Sequence, residues 1–334
     1  MSVRIGINGF GRVGRYFYRI ARARGLDVVA VNDLTAPATL AHLLSYDSTF
    51  GRLDTEAFTS EHGDAIVVGD SRFAVTAERD PAALDWGAYD VDVVIESTGR
   101  FRTRDDAAVH LKSGPKKVLI SAPGKNVDAT LVLGVNEETY DPAHHDVISN
   151  ASCTTNCVAP MAKVLNDAFG VKRGLMTTIH AYTNDQSLLD APHKDLRRAR
   201  SAASSLIPTS TGAAKAVGLV VPELAGKLGG VAVRVPIEDG SLTDLTVELR
   251  RDVTAAEVNQ AFAEAATGRL NGYLRYSTAP IVSRDIVGDP ASCIFDAPLT
   301  QADGDLVKVF GWYDNEWGYS TRLVDLAEYV AARF

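Results

Sequence analysis

The sequence predicts an α/β chain in two parts: a doubly wound parallel sheet, then an α+β region whose sheet is mainly antiparallel. Three observations lead there. The first half alternates short β-branched runs with helical patterns, and a glycine-rich turn joins the first run to the first helix. After Cys153 strand-like runs follow one another with few helices between them. With 334 residues there is enough chain for two full cores.

Val3–Asn8 reads as the first strand, and 11–24 as a helix with Val13, Phe17, Ile20 and Ala21 on one face. Residues 26–32 form the next strand and 37–45 the next helix. A hairpin turns at Gly69-Asp70 between 65–68 and 72–76. Three runs, 91–96, 117–121 and 130–133, read as buried parallel strands, with a helical stretch over 103–112 after the first. The short extended run 146–149 leads to Cys153, and a helix is expected from Thr154 to Phe169. Strands are then expected over 174–182, 230–236, 243–250 and 306–313. Thr254 and Glu257 form a capping box for a helix running to about Thr267. A closing amphipathic helix over 320–332 is placed to complete the first domain. The expected division is 1–152 with 315–334 as one domain and 153–314 as the other. The arginine-rich stretch 184–207 has no clear period and reads as a functional or interface loop.

Composition narrows the function. With 46% apolar and 23% charged residues, neither disorder nor membrane insertion is favoured. Apolar runs fall well short of the roughly 18 residues that span a bilayer. A net charge of −8 argues against nucleic-acid binding as the main activity but leaves local anion sites open. The first residues lead straight into a strand, so no signal peptide is read. The three cysteines, 153, 157 and 293, suit a reducing cytoplasm, and their spacing suggests no metal site.

The motifs carry the chemistry. Gly9-Phe-Gly11-Arg-Val-Gly14 is G-x-G-x-x-G between a strand and a helix, with Asp33 at the end of the second strand. Glycine permits the tight turn at 9, close approach to a pyrophosphate at 11 and helix–sheet packing at 14, and the Asp33 carboxylate faces an adenosine ribose. In this context a dinucleotide site is expected. Cys153 stands where a strand gives way to a helix. The unpaired N–H groups and the helix dipole favour thiolate, which makes a nucleophile. A buried free cysteine is the blander reading. His180, in an apolar strand, is a candidate base or a satisfied core histidine. Arg198 and Arg234 are candidate phosphate ligands or solvated surface groups. The Thr209-Ser-Thr-Gly212 stretch offers donors to phosphate or a helix cap.

With these residues in view, the chain resembles the phosphorylating, glycolytic type of glyceraldehyde-3-phosphate dehydrogenase. The resemblance runs through Asn8–Arg15, Glu96–Gly99, Ala151–Cys157, His180–Asp185, Thr211–Lys215, Arg234–Pro236 and Trp312–Tyr319. It implies NAD-dependent phosphorylating oxidation of a small phosphorylated aldehyde through a cysteine thioester, with inorganic phosphate as second substrate. It implies Cys153 as nucleophile and His180 as acid and base. It places Thr183 and Arg234 on the substrate's phosphate. Ser152, Thr154, Thr211, Gly212 and Arg198 would line the region of substrate and inorganic phosphate. Gly9, Gly11, Arg12, Val13, Asp33, Arg79, Ser121, Asn315 and Tyr319 would hold NAD, with Asn315 on the carboxamide and Tyr319 beside the nicotinamide. The family further implies a homotetramer with the 185–206 loop at a subunit interface.

Three features depart from the family: Val13 where isoleucine is common, Ile237-Glu-Asp-Gly240 in place of a less acidic, Asn-containing stretch, and Ala191 before Pro192 where NAD-specific members often have leucine. Erythrose-4-phosphate dehydrogenase, which favours water for deacylation, is the second reading within the class. A retired scaffold or an RNA binder is the reading outside it, and the complete cysteine, histidine and arginine set argues against retirement.

Overall fold

The computed structural model describes residues 3–334. Two compact units emerge. One is built from residues up to 131, 139–151 and 320–334, the other from 132–138 and 152–319.

The first unit carries a nine-stranded sheet in the order Ala129–Thr130, Val147–Ser149, Lys117–Ile120, Val93–Glu96, Arg4–Asn8, Asp27–Asn32, Ser71–Thr76, Ala65–Val68, Ala57–Thr59. Its first seven strands run parallel and the last two close it antiparallel. Arg4–Asn8 lies centrally, with the next strands of the chain leaving it to opposite sides. That makes its carboxyl end the switch point where doubly wound folds bind ligands. Near-continuous burial of Ile5, Ile7, Val93, Val94, Ile95, Val118 and Leu119 explains why these runs read as apolar rather than alternating.

One expected strand shrinks, and one expected helical stretch is present but changes type. The 130–133 strand shrinks to Ala129–Thr130 at the sheet edge. Beyond it the chain turns, with Val135 N–H donating to Val132 O (3.0 Å) and Val132 N–H to Asn136 Oδ1 (2.8 Å). The 103–112 helix is α only over Arg104–Ala107, capped by Thr103, and tightens to a 3₁₀ helix over Ala108–Ser113 before Gly114.

The second unit holds a sheet ordered Ile207–Ser210, Leu228–Val235, Val171–Ala181, Ser241–Leu249, Leu306–Tyr313, Cys293–Asp296, Leu274–Ser277. Val171–Ala181 with Leu228–Val235, and Cys293–Asp296 with Leu274–Ser277, pair parallel, and the other pairs are antiparallel. Helix Cys153–Phe169 begins one residue earlier than expected and buries Val158, Met161, Ala162 and Leu165 completely. It lies so close to the sheet that a Cβ on Gly311 would come within 2.5 Å of Met161 Sδ and 2.7 Å of Cys293 Sγ. Phe262 from helix Ala255–Thr267 stacks on Phe295 at 3.8 Å, and the Thr254–Glu257 capping box is formed.

The units divide the chain differently from the expected 152/153 and 314/315 boundaries. Residues 132–138 join the second unit because Gly134 packs against Tyr273 and Leu270 while Arg269 donates to Val135 O (3.0 Å). Residues 315–319 join it because Asn315 is held by Ser241. The closing helix spans Trp317–Ala331.

Candidate active site

In the first unit the turn after Arg4–Asn8 is built by its glycines. Gly9 sits at φ +94°, and a Cβ there would press within 2.7 Å of Thr98 N. A Cβ on Gly14 would fall 2.3 Å from Gly9 O, so the helix Arg12–Ala23 can start only with glycine at that point. A Cβ on Gly11 would meet nothing within 4 Å, which leaves the turn open where a pyrophosphate would approach the helix N-terminus. Asp33 is fixed to the same turn: its Oδ2 accepts from Phe10 N–H (2.8 Å) and its Oδ1 from Thr35 N–H (2.9 Å). Gly9, Gly11, Asp33 and Arg79 line one cavity of about 250 Å³. These residues fit a dinucleotide. Arg12 faces Asp47 at 3.6 Å and also donates to Thr49, Val13 is half-buried on the same helix, and Ser121 N–H donates to Glu96 O (3.0 Å).

In the second unit Ser152 caps the helix that opens at Cys153, its Oγ accepting from Thr155 N–H (3.0 Å). Ala151 before it takes a left-handed φ of 54°. Cys153 Sγ lies 3.4 Å from His180 Nε2. His180 Nδ1 lies 2.7 Å from Ala181 O and 2.8 Å from Arg234 Nη1, which also donates to Ala181 O (3.0 Å). Sheet register explains the meeting, since parallel pairing sets His180 opposite Arg234. For Nε2 to accept a proton, Nδ1 must hold one; Ala181 O is the acceptor placed to receive that N–H, and Arg234 Nη1, which can only donate, then bonds to Ala181 O and not to Nδ1.

The electrostatics correct one expectation. Desolvation pushes the Cys153 thiol up to about 11, although Arg234 and hydrogen bonds from Thr154 pull it back. The helix end therefore does not by itself make a thiolate. Desolvation first, then the Arg234 charge, pushes His180 down to about 3. Burial thus disfavours the charged form of each partner taken alone. Passing the proton from Sγ to Nε2 creates both charges together, and their attraction offsets part of the burial cost.

Arg234 is the cation placed most directly to hold an anion beside Cys153 and His180. Its guanidinium is half-buried, with Nε buried and no partner for that atom among the described residues. Arg198 adds a second positive field on His180 and Arg234, and is held by Thr209 Oγ1 (2.9 Å), Ser210 O (3.3 Å) and the Asp185 carboxylate. Thr183 is half-buried in the turn after Ala181. Thr211 Oγ1 accepts from Ala213 N–H (3.2 Å), so it serves as a helix-start turn, while Gly212 beside it is open. Thr154 is buried, its hydroxyl bound to Tyr313 OH (2.8 Å), so that hydroxyl is engaged by the protein itself. Cys157 and Cys293 are fully buried around Gly311. Asn315 is buried with Oδ1 accepting from Ser241 Oγ–H (2.6 Å), and Tyr319 is buried.

Sequence reasoning gave no role to Tyr313. Its OH bridges Thr154 and Thr178 (2.8 Å each), and its ring meets the His180 ring edge-on at 5.9 Å. Its place beside Asp314-Asn315 in one motif was the available signal. Among the described residues no group of His, Cys, Asp or Glu is arranged to hold a metal, and no helix is long and apolar enough to cross a membrane.

Comparison with known proteins agrees with this geometry. Residues 3–104 match the family model described as glyceraldehyde 3-phosphate dehydrogenase, NAD binding domain, and residues 152–315 the one described as its C-terminal domain. The chain is similar to glyceraldehyde-3-phosphate dehydrogenase 2 of Streptomyces avermitilis, 60% identical over 333 residues covering 99% of each chain. It is 59% identical over 335 residues to the glyceraldehyde-3-phosphate dehydrogenase of Geobacillus stearothermophilus, covering 100% of this chain and 99% of that one. The figures are the same for glyceraldehyde-3-phosphate dehydrogenase 1 of Bacillus subtilis.

Proposed function

The chain belongs to the glyceraldehyde-3-phosphate dehydrogenase family, and from that premise we propose that it oxidises and phosphorylates glyceraldehyde 3-phosphate to 1,3-bisphosphoglycerate, with NAD as cofactor. The observation that carries the reading is the 3.4 Å approach of Cys153 Sγ to His180 Nε2 beside the orphaned Nε of Arg234. Cys153 Sγ adds to the aldehyde carbon as its proton passes to His180 Nε2. The resulting oxyanion accepts from the Nε2–H of the imidazolium and from Cys153 N–H. NAD, when bound, supplies the acceptor for the hydride that leaves this carbon, and His180 then releases its proton. A thioester on Cys153 remains. An oxygen of inorganic phosphate attacks its carbonyl carbon, the C–S bond breaks, and the thiolate is reprotonated.

Arg234 and Thr183 hold the phosphate of the sugar, and Arg198, Ser152, Thr154, Thr211 and Gly212 the region of inorganic phosphate. For Thr154 that role falls to its backbone, since its hydroxyl is bound to Tyr313. Gly9, Gly11, Arg12, Val13, Asp33, Arg79 and Ser121 hold NAD, and Asn315 and Tyr319 meet its nicotinamide end. On this reading the first unit is the dinucleotide-binding domain and the second the catalytic domain.

The protein works in the cytoplasm as a homotetramer. Supporting a subunit contact, Leu188, Leu189, Leu196 and Leu206 in the long loop are 68–81% exposed, more apolar surface than one loop normally leaves to water. Nothing in the site favours erythrose 4-phosphate. Initial rates with both sugar phosphates, with and without inorganic phosphate and with NAD or NADP, test the reading. Turnover that is independent of phosphate, or that survives Cys153→Ser, would overturn it.

A further inference from the structure

Asp239 and Asp314 are buried carboxyls, 3% and 1% exposed, that meet side chain to side chain. Two carboxylates offer each other only acceptors, so the contact is a hydrogen bond only if one of them carries a proton. The surrounding donors are unequally shared. Asp314 Oδ1 accepts from Glu316 N–H (2.8 Å) and Trp317 N–H (2.6 Å), and its Oδ2 from Gly288 N–H (2.7 Å). Asp239 Oδ1 accepts only from Gly240 N–H (2.8 Å), and its buried Oδ2 receives no N–H among the described residues. The proton therefore belongs on Asp239, the carboxyl with fewer donors to stabilise its charge. Neighbouring cations do not change this: Arg284 is paired with Glu238 (2.8 Å) and Arg275 with Asp289. Burial pushes Asp239 up to about 9, and the charges of Asp314 and Glu316 push the same way.

The turn that Asp314 organises carries Asn315. Asn315 Oδ1 accepts from Ser241 Oγ–H (2.6 Å), and Ser241 Oγ accepts from Ala181 N–H (3.1 Å), next to His180. We propose that Asp239 is a positioning residue that works as a neutral carboxylic acid, donating to Asp314 so that the 314–317 turn presents Asn315 to the nicotinamide carboxamide. This rests on the assignment of Asn315 under the proposed function. It gives the acidic Ile237–Gly240 departure a role: the acid ties the loop between the strand of Arg234 and Ser241–Leu249 to the cofactor-facing turn. When Asp239 ionises, two charges face each other in a buried site, and the turn loosens.

The sign of the stability effect follows from the raised value. Protonated Asp239 favours the folded state fully below the ordinary carboxylate range, and that contribution is lost as pH rises towards about 9. Asp239→Asn keeps an N–H donor to Asp314 and does not titrate. Three measurements on the full chain decide the matter. Infrared difference spectra at neutral pH should show a protonated-carboxyl band in the parent that Asp239→Asn lacks. Melting temperatures without NAD should show Asp239→Asn gaining on the parent as pH rises to about 9. NAD affinity of the parent should fall by about tenfold beyond that pH, one unit's worth of coupling, and stay flat in Asp239→Asn.

Absence of the carboxyl band, or superimposable pH profiles for parent and variant, overturns the proposal. A band and a melting shift with no pH effect on NAD would overturn the positioning role. Asn315→Ala tests the underlying assignment separately: unchanged NAD affinity there would sink the carboxamide contact, while the infrared result still judges the acid.

Discussion

Replacing His180 by Asn removes the imidazole that lies 3.4 Å from Cys153 Sγ and leaves a smaller hydrogen-bonding group in its place. The thiol then keeps the value that desolvation imposes, about 11. At pH 8 a thiol of that kind is ionised in about one molecule in 10³. In the parent, Nε2 takes the proton as the sulfur reacts, and the imidazolium that forms stays paired with the developing thiolate at 3.4 Å, an attraction the variant lacks. Alkylation by iodoacetamide at pH 8 should therefore be slower in His180→Asn by ~10²–10⁴, the span of general acid–base effects. The two rates should converge as pH approaches about 11, where the thiol ionises without help. The assay is the pseudo-first-order alkylation rate of Cys153, followed by mass spectrometry across the pH range so that it does not depend on turnover. Parallel profiles for parent and variant, or a rate ratio near unity at pH 8, would refute the coupling of the two side chains.

Other outcomes follow from the same structure. Arg234→Ala should raise KM for the sugar phosphate and Arg198→Ala that for inorganic phosphate, each by a charge-assisted contact of ~1.5–3 kcal/mol, and equal losses for both ligands in both variants would defeat the division. Asp33→Asn should improve the poor use of NADP, because it removes the carboxylate that would face a 2′-phosphate, and comparable kcat/KM for NAD and NADP in the parent would contradict that. Gly311→Ala sets a Cβ 2.5 Å from Met161 Sδ and 2.7 Å from Cys293 Sγ, and should cost about 1–3 kcal/mol in urea unfolding. An unchanged midpoint would mean that the helix yields.

The sequence by itself determined the fold class and the glycine turn with Asp33, and it singled out Cys153 and His180 as candidates. Each is written locally: apolar runs of a given period, glycines where a Cβ would strike Thr98 N or Gly9 O, a cysteine opening a helix. Short strands such as Ile207–Ser210, Leu274–Ser277 and Cys293–Asp296 were not legible, because three or four residues carry too little periodicity. Neither were the unit boundaries, which follow from packing of Gly134 on Tyr273 and from the Ser241–Asn315 bond. Only the tertiary structure decided the state of the site. Pairing of Val171–Ala181 with Leu228–Val235 brings Arg234 onto His180, burial overrides the helix end at Cys153, and Tyr313 reaches Thr154 and Thr178 from a strand far along the chain. The physical reason is that a pKa and a hydrogen bond depend on what surrounds a group in space. A residue's neighbours in sequence fix its conformation, but its charge is set by desolvation and by partners that only folding supplies.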